Sequence, residues 1–166
     1  MERTLYLIKK LNLTPHPEGG YFKEIYRSGE IIPDRTIVGF EGERNVSTSI
    51  YFLLAGKDKS MFHKIKSDEI WHFYEGAGIT IHTIDEKGKY KALRLGGNLK
   101  ENEQYQIIVP RNTWFAAEVN NKHSYALVGC TVAPGFDFKD FQLGKRKELI
   151  SLFPQHSKLI NKFTTD

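Results

Sequence analysis

The sequence predicts an all-β protein, a small double-sheet jelly roll with one short helix at its start and two at its end. Two observations carry that expectation. From residue 46 to residue 132 the chain is a series of short segments of alternating polarity, each closed by a turn signal. Strands of that length and spacing build sandwiches and barrels. Aromatic residues make up 13% of the chain, and they favour strands and pocket walls. Helical spacing is confined to the two ends.

Residues 4–13 place Leu5, Ile8 and Leu11 or Leu13 at near-helical intervals, with Lys9 and Lys10 outside. That predicts a short amphipathic helix ending before Pro15. Residues 14–20 collect Pro15, Pro17, Gly19 and Gly20 and read as a loop. Residues 21–28 alternate and form a strand, and 29–44 form a long loop with a strand fragment at Ile37 and Val38. Residues 46–54 are a strand with its turn at 56–59. Segments 61–65 and 69–75 read as a hairpin reversing at Lys66, Ser67 and Asp68. A second hairpin joins 78–85 to 89–95 across Asp85, Glu86, Lys87 and Gly88. Gly96, Gly97 and Asn98 make a turn, and strands at 104–109, 113–119 and 124–132 complete the sheets. Segments 144–153 and 155–163 are helical, broken at Pro154.

A length of 166 residues fits one domain, spanning 1–166, with a substantial core. The net charge is +4, but basic residues are scattered among acids, and the run Lys145, Arg146, Lys147 is followed at once by Glu148. A solvated helix end explains it, and nucleic acid is not the expected partner. No apolar run approaches the ~20 residues needed to cross a bilayer, and Lys9 and Lys10 interrupt the apolar start. The expectation is a cytoplasmic protein with no membrane partner. The single cysteine, Cys130, forms no intramolecular disulfide and reads as a small core residue.

The chemistry concentrates at residues 62–76. Alternation puts His63 and Ile65 on one face, and Glu69, Trp71 and Phe73 on one face of the following strand. An imidazole and a carboxylate then meet inside, with aromatics deeper. Two readings are open: a general base or acid with its partner, or a buried pair that fixes the strands. Ser49 and Tyr51 share one face of their strand and Thr48, Ile50 and Phe52 the other, and the pattern does not choose the inner one. Arg27 and Arg111 are candidate anion forks or ordinary ion-pair partners. His16, His82, His123 and His156 take no role.

The spacing His63, Ile65, Glu69, Gly76 resembles the first motif of the cupins, and residues 110–115 stand where their second motif falls. Strings at 13–22, 47–54 and 128–136 resemble the fifth cupin family over about residues 13–141. The resemblance implies a double-stranded β-helix, the cupin jelly roll. In metal-binding cupins three histidines and one glutamate of these motifs hold the ion. Here Ile65 and Phe115 occupy two of the histidine positions, so no metal and no cofactor is expected. Residues 20–24 also resemble a strand of the sugar-nucleotide 3,5-epimerases, which are cupins that contact a neighbouring subunit's substrate through it. That implies ligand contact by Phe22 and Glu24, and a homodimer. The epimerases' acid tyrosine falls at Val128 or Gly129.

The expected function is therefore an inner-barrel pocket for a small polar, carbohydrate-derived ligand, with metal-independent proton transfer of the isomerase or epimerase type. His63 is the base, Glu69 orients it or serves as acid, and Phe22, Glu24, Ser49, Tyr51, Trp71 and Phe115 bind the ligand. The alternatives are a non-catalytic binding or sensing module, or an open, weak metal site at His63 and Glu69.

Overall fold

A computed structural model describes residues 2–165. The chain runs α1 (Glu2–Leu11), β1 (Thr14–Pro15), β2 (Tyr21–Arg27), β3 (Ile31–Ile32), β4 (Arg44–Asn45), β5 (Thr48–Ala55), β6 (Lys59–Lys64) and β7 (Asp68–Gly76). It continues with β8 (Ile79–Ile84), β9 (Tyr90–Leu95), β10 (Gln106–Val109), β11 (Trp114–Val119), β12 (Tyr125–Ala133), β13 (Gln142–Leu143), α2 (Arg146–Leu152) and α3 (Ser157–Lys162). A six-stranded sheet, ordered β1-β2-β5-β12-β7-β10, faces a five-stranded sheet, ordered β13-β6-β11-β8-β9, as a jelly roll.

Alternation sorts the side chains into three apolar layers. Phe52, Leu54, Trp71, Ile81, Phe115 and Val128 point between the sheets and make the main core. The opposite face of β5 and β12 carries Leu53 and Leu127, which α1 covers with Leu7. The outer face of the second sheet carries Phe62, Ile84 and Trp114, capped by Leu149 and Phe153 around α2 and by Ile160 and Phe163 around α3. α1 thus hides one apolar face, and α2 and α3 together the other, that a single sandwich core leaves uncovered.

Two expectations change. Segments 61–65 and 69–75 do not form a hairpin, because β6 pairs with β11 and β13 while β7 pairs with β12 and β10. The polar reversal at Lys66 and Ser67 is the corner at which the chain passes from one sheet to the other. Both strands still turn their alternate residues inward, so His63 and Glu69 face the same interior from opposite sheets. The strand fragment in the long loop lies at Ile31–Ile32, paired with Arg44–Asn45, and not at Ile37 and Val38. The hairpin across residues 85–88 forms as β8 and β9. The motif glycine Gly76 holds a φ of 101° with its Cα packed on the Tyr125 carbonyl, a place no Cβ fits.

Candidate functional site

Between the sheets lies a cavity of about 360 Å³, within the range of small-molecule sites. Phe22, Ile50, Phe52 and Val132 form its wall on the six-stranded sheet. The opposite wall is the segment after β12, which contributes Phe136, Phe138 and Phe141. His16, Glu18, His63, Ile65, Glu69 and Cys130 line the buried part, and Glu24, Arg27 and Asp137 the rim.

The loop between β1 and β2 delivers His16 and Glu18 because two glycines follow them. Gly19 and Gly20 have φ of 110° and 72°, and Gly19 packs its Cα against the Lys59 carbonyl of β6. A side chain at Gly19 would lift the loop off β6. Held flat, the loop seats the Glu18 carboxylate with Oε1 accepting from Ser60 Oγ at 2.8 Å and Oε2 3.0 Å from His63 Nε2.

Both His63 nitrogens are engaged. Nδ1 lies 2.7 Å from the Met61 carbonyl, which accepts only, so Nδ1 carries a hydrogen. The short contact from Nε2 to a carboxylate then requires one more proton between them, and the charges favour an imidazolium beside a carboxylate. Burial alone would depress the His63 pKa, but the charge of Glu18 and its hydrogen bond, with Glu69 and the Met61 carbonyl, outweigh burial and raise it. Burial likewise pushes Glu18 up, and His63 overrides it to leave Glu18 below its ordinary value. His16 is different. Its Nδ1 accepts from the Glu18 backbone N–H at 3.3 Å, so its 3.5 Å approach to Glu18 Oε2 is not a hydrogen bond. Burial lowers the pKa of His16, leaving a neutral ring with its proton on Nε2.

Glu69 has no such partner. It is only 7% exposed, and among the described residues no cation lies within ion-pair distance of it. Burial pushes its pKa up to about 7, with His63 pulling it down and Glu18 pushing it up. The Cys130 thiol and the Trp71 indole N–H also favour its charged form, although the indole completes no hydrogen bond of normal geometry. Burial and the neighbouring Glu69 in turn push the Cys130 thiol well up, so it is no thiolate nucleophile.

The structure brings His63, Glu69, Phe22 and Glu24 of the sequence-derived set to one cavity. Trp71 and Phe115 lie beneath it in the closed core, Phe115 with its ring centroid 4.0 Å from that of His63. Ser49 and Tyr51 point to the other face of β5, where Ser49 meets Thr131 and Tyr51 packs with Leu53 in the layer under α1. The inner residues of that strand are Thr48, Ile50 and Phe52. Arg27 reaches the rim but is held by Glu24 at 2.9 and 2.7 Å, by Asn45 and by the Phe136 carbonyl.

The sequence reading gave His16 and Glu18 no part. The available signal was a glutamate directly before paired glycines, a loop able to lie flat against a strand. The second missing part is the wall segment. Arg44 and Asp140 fasten it through two hydrogen bonds of 2.7 and 2.9 Å, both side chains nearly fully buried.

Two facing antiparallel sheets with the first-motif histidine and glutamate on the inner surface define a cupin. Within that class the chain belongs to the family described as Cupin superfamily (DUF985), which matches residues 5–144. It is 32% identical over 144 residues to the uncharacterized protein YML079W of Saccharomyces cerevisiae, covering 81% of this chain and 71% of that one. A hypothetical protein from Leishmania major superposes with a TM-score of 0.90 at 30% identity, covering 98% of both chains. Protein SO0799 from Shewanella oneidensis superposes with a TM-score of 0.87 at 36% identity over 96% of each chain.

The residues present do not fit the metal of metal-binding cupins. Ile65 and Phe115 offer no donor atom, and His63 has no free lone pair while it faces Glu18 and Met61. No group of three or more His, Cys, Asp or Glu among the described residues is arranged to hold an ion.

Proposed function

We propose that this cupin binds a small organic molecule with an apolar body and a polar head, and moves a proton on it without a metal. The observation that carries the reading is Glu69, a buried carboxyl that lines the cavity and has no ion-pair partner among the described residues, and whose pKa burial pushes up to about 7. A general base or acid works best with such a value. Its carboxylate takes a proton from a hydroxyl-bearing carbon beside a carbonyl and returns it on the same face to the former carbonyl carbon, while the hydroxyl proton passes to the former carbonyl oxygen, which is isomerase chemistry. The His63 imidazolium, with both ring N–H groups held by Glu18 and Met61, favours the developing enolate oxygen through the dipole of its pair with Glu18 and not through a net charge. The roles thus differ from the sequence expectation: Glu69 exchanges the proton, and His63 stabilises charge. A carbohydrate-derived ketone or aldehyde fits as ligand, with the phenylalanine walls covering its apolar faces.

The test is proton NMR of small α-hydroxyketones and aldoses incubated with the protein in D2O. Deuterium enters the carbon beside the carbonyl with the native protein, and Glu69→Gln abolishes exchange while the fold persists. Saturable binding without exchange favours the alternative, a non-catalytic binding or sensing module. Absence of both rules out the reading. Exposed Ile25 and Tyr26 on β2 support the expected homodimer, which sedimentation equilibrium would measure.

A further inference from the structure

The charge lining the cavity is opposite in sign to that of the protein. The chain carries a net +4, yet the lining side chains include the acids Glu18, Glu24, Glu69 and Asp137, and no lysine among the described residues. Arg27 is cancelled by its two-pronged bond to Glu24, and His63 by Glu18. Glu69 remains without a cation among the described residues, while Asp137 accepts from the Lys139 backbone N–H at 2.8 Å and lies in the field of Arg27 and Arg44. Among the described residues lining the cavity no uncommitted cation is available to receive a phosphate or carboxylate, the groups that anionic ligands present. Phe22, Phe136, Phe138 and Phe141 meanwhile turn aromatic faces and edges around the space. Aromatic walls about a buried carboxylate are the surroundings that attract an organic cation.

We infer that the ligand of this cavity carries a positive charge, an amino or quaternary ammonium group on a compact carbonyl-bearing body, with Glu69 as its counter-ion and the phenylalanines around it. The inference rests on the reading that the cavity holds a small organic molecule, and it names that molecule's chemical class. It also gives Glu69 a reason to ionise: a cation beside it replaces the solvation that burial removes. The groups facing Glu69 are His63 of β6, Glu18 of the β1–β2 loop, and Cys130 and Trp71 of β12 and β7. Of these, the His63–Glu18 pair is neutral as a whole and the thiol is protonated, so affinity for a cation rises with pH as Glu69 ionises.

Isothermal titration calorimetry with benzylamine, benzyl alcohol and benzoate tests this, because the three share a ring and differ in charge. Benzylamine is expected to bind roughly tenfold or more tightly than benzyl alcohol, and benzoate more weakly than either. Glu69→Gln should erase the preference for the amine and leave the alcohol's affinity within about twofold. Phe138→Leu, at the exposed rim, should weaken the amine selectively and does not depend on the buried site tolerating change. Equal or tighter binding of benzoate or benzyl alcohol, an amine preference that survives Glu69→Gln, or no binding of any probe overturns the inference. None of these outcomes requires turnover, so failure here is separate from failure to detect deuterium exchange.

Discussion

His63 Nε2 lies 3.0 Å from Glu18 Oε2, and the two side chains are almost wholly buried. They come from different parts of the fold, His63 from β6 and Glu18 from the loop before β2. The Met61 carbonyl fixes the other ring nitrogen as a donor, so this contact holds one proton shared between the ring and the carboxylate. An ion pair shielded this way is costly to break from one side, because the remaining charge is stranded.

Double-mutant analysis of Glu18→Gln and His63→Gln should show that coupling. Each single replacement is expected to cost about 3 kcal/mol in urea denaturation, and the double less than their sum by more than about 1 kcal/mol. Additive losses would mean that no charge is shared. In Glu18→Gln the His63 pKa should also fall, since burial then acts without its counter-charge.

Glu69 makes the protein's stability depend on pH in the opposite sense to an ordinary carboxylate. Its pKa is about 7 in the folded state against an ordinary 4.5. Below 4.5 both states are protonated; between 4.5 and 7 the unfolded chain loses its proton first, so stability falls as pH rises and levels off above 7. The difference corresponds to about 3 kcal/mol at most. Glu69→Gln should therefore stabilise the protein at pH 8 by up to about 3 kcal/mol and change little at pH 4. The Glu18–His63 pair contributes most between 4.5 and 6.5: Glu18's share is lost as pH falls through its lowered pKa, His63's as pH rises through its raised one. A native stability maximum on the mildly acidic side of neutrality, shifted upward in pH by Glu69→Gln, is the measurable result. An optimum unchanged by that replacement would sink the assignment.

The sequence makes the inward placement of His63 and Glu69 legible, because period-2 alternation holds whatever strand lies alongside. Pairing is another matter. A polar reversal between two alternating segments looks the same whether the strands join as a hairpin or pass to opposite sheets, so β6 and β7 read as partners. The facing of β5 was equally hidden: Tyr51 and Phe52 are both aromatic, and only α1 packed outside decides that Tyr51 looks outward. His16 and Glu18 sit in a loop without periodicity, and their contact with His63 depends on Gly19 lying against Lys59. Nothing local to either segment announces that meeting.

Asp140 should control the cavity wall from outside it. Its carboxylate takes two hydrogen bonds from Arg44 in a nearly closed environment, with Lys66 Nζ at 3.7 Å. Asp140→Ala leaves the guanidinium without its partner and should cost roughly 3 kcal/mol. Because Phe138 and Phe141 flank it in the same wall, amide hydrogen exchange there should accelerate beyond the global loss. Exchange that rises uniformly across the chain would show that Asp140 serves general stability and not this wall.

Chelation separates the metal-free reading from an open site at His63 and Glu69. A resident ion present at a hundred times its dissociation constant would add about 2.7 kcal/mol to stability, and removing it from a chain of this size would lower Tm by roughly 5–10 °C. To coordinate, His63 would have to give up either Glu18 or the Met61 carbonyl, and Ile65 and Phe115 give nothing in return. Protein purified without chelators or a histidine tag should hold no stoichiometric metal by plasma mass spectrometry. EDTA should move its Tm by less than about 1 °C. One ion per chain, lost in Glu69→Ala, would mean that a ligand exchange at His63 is cheaper than the buried ion pair implies, and the proton chemistry assigned to Glu69 would have to be reassigned to the metal.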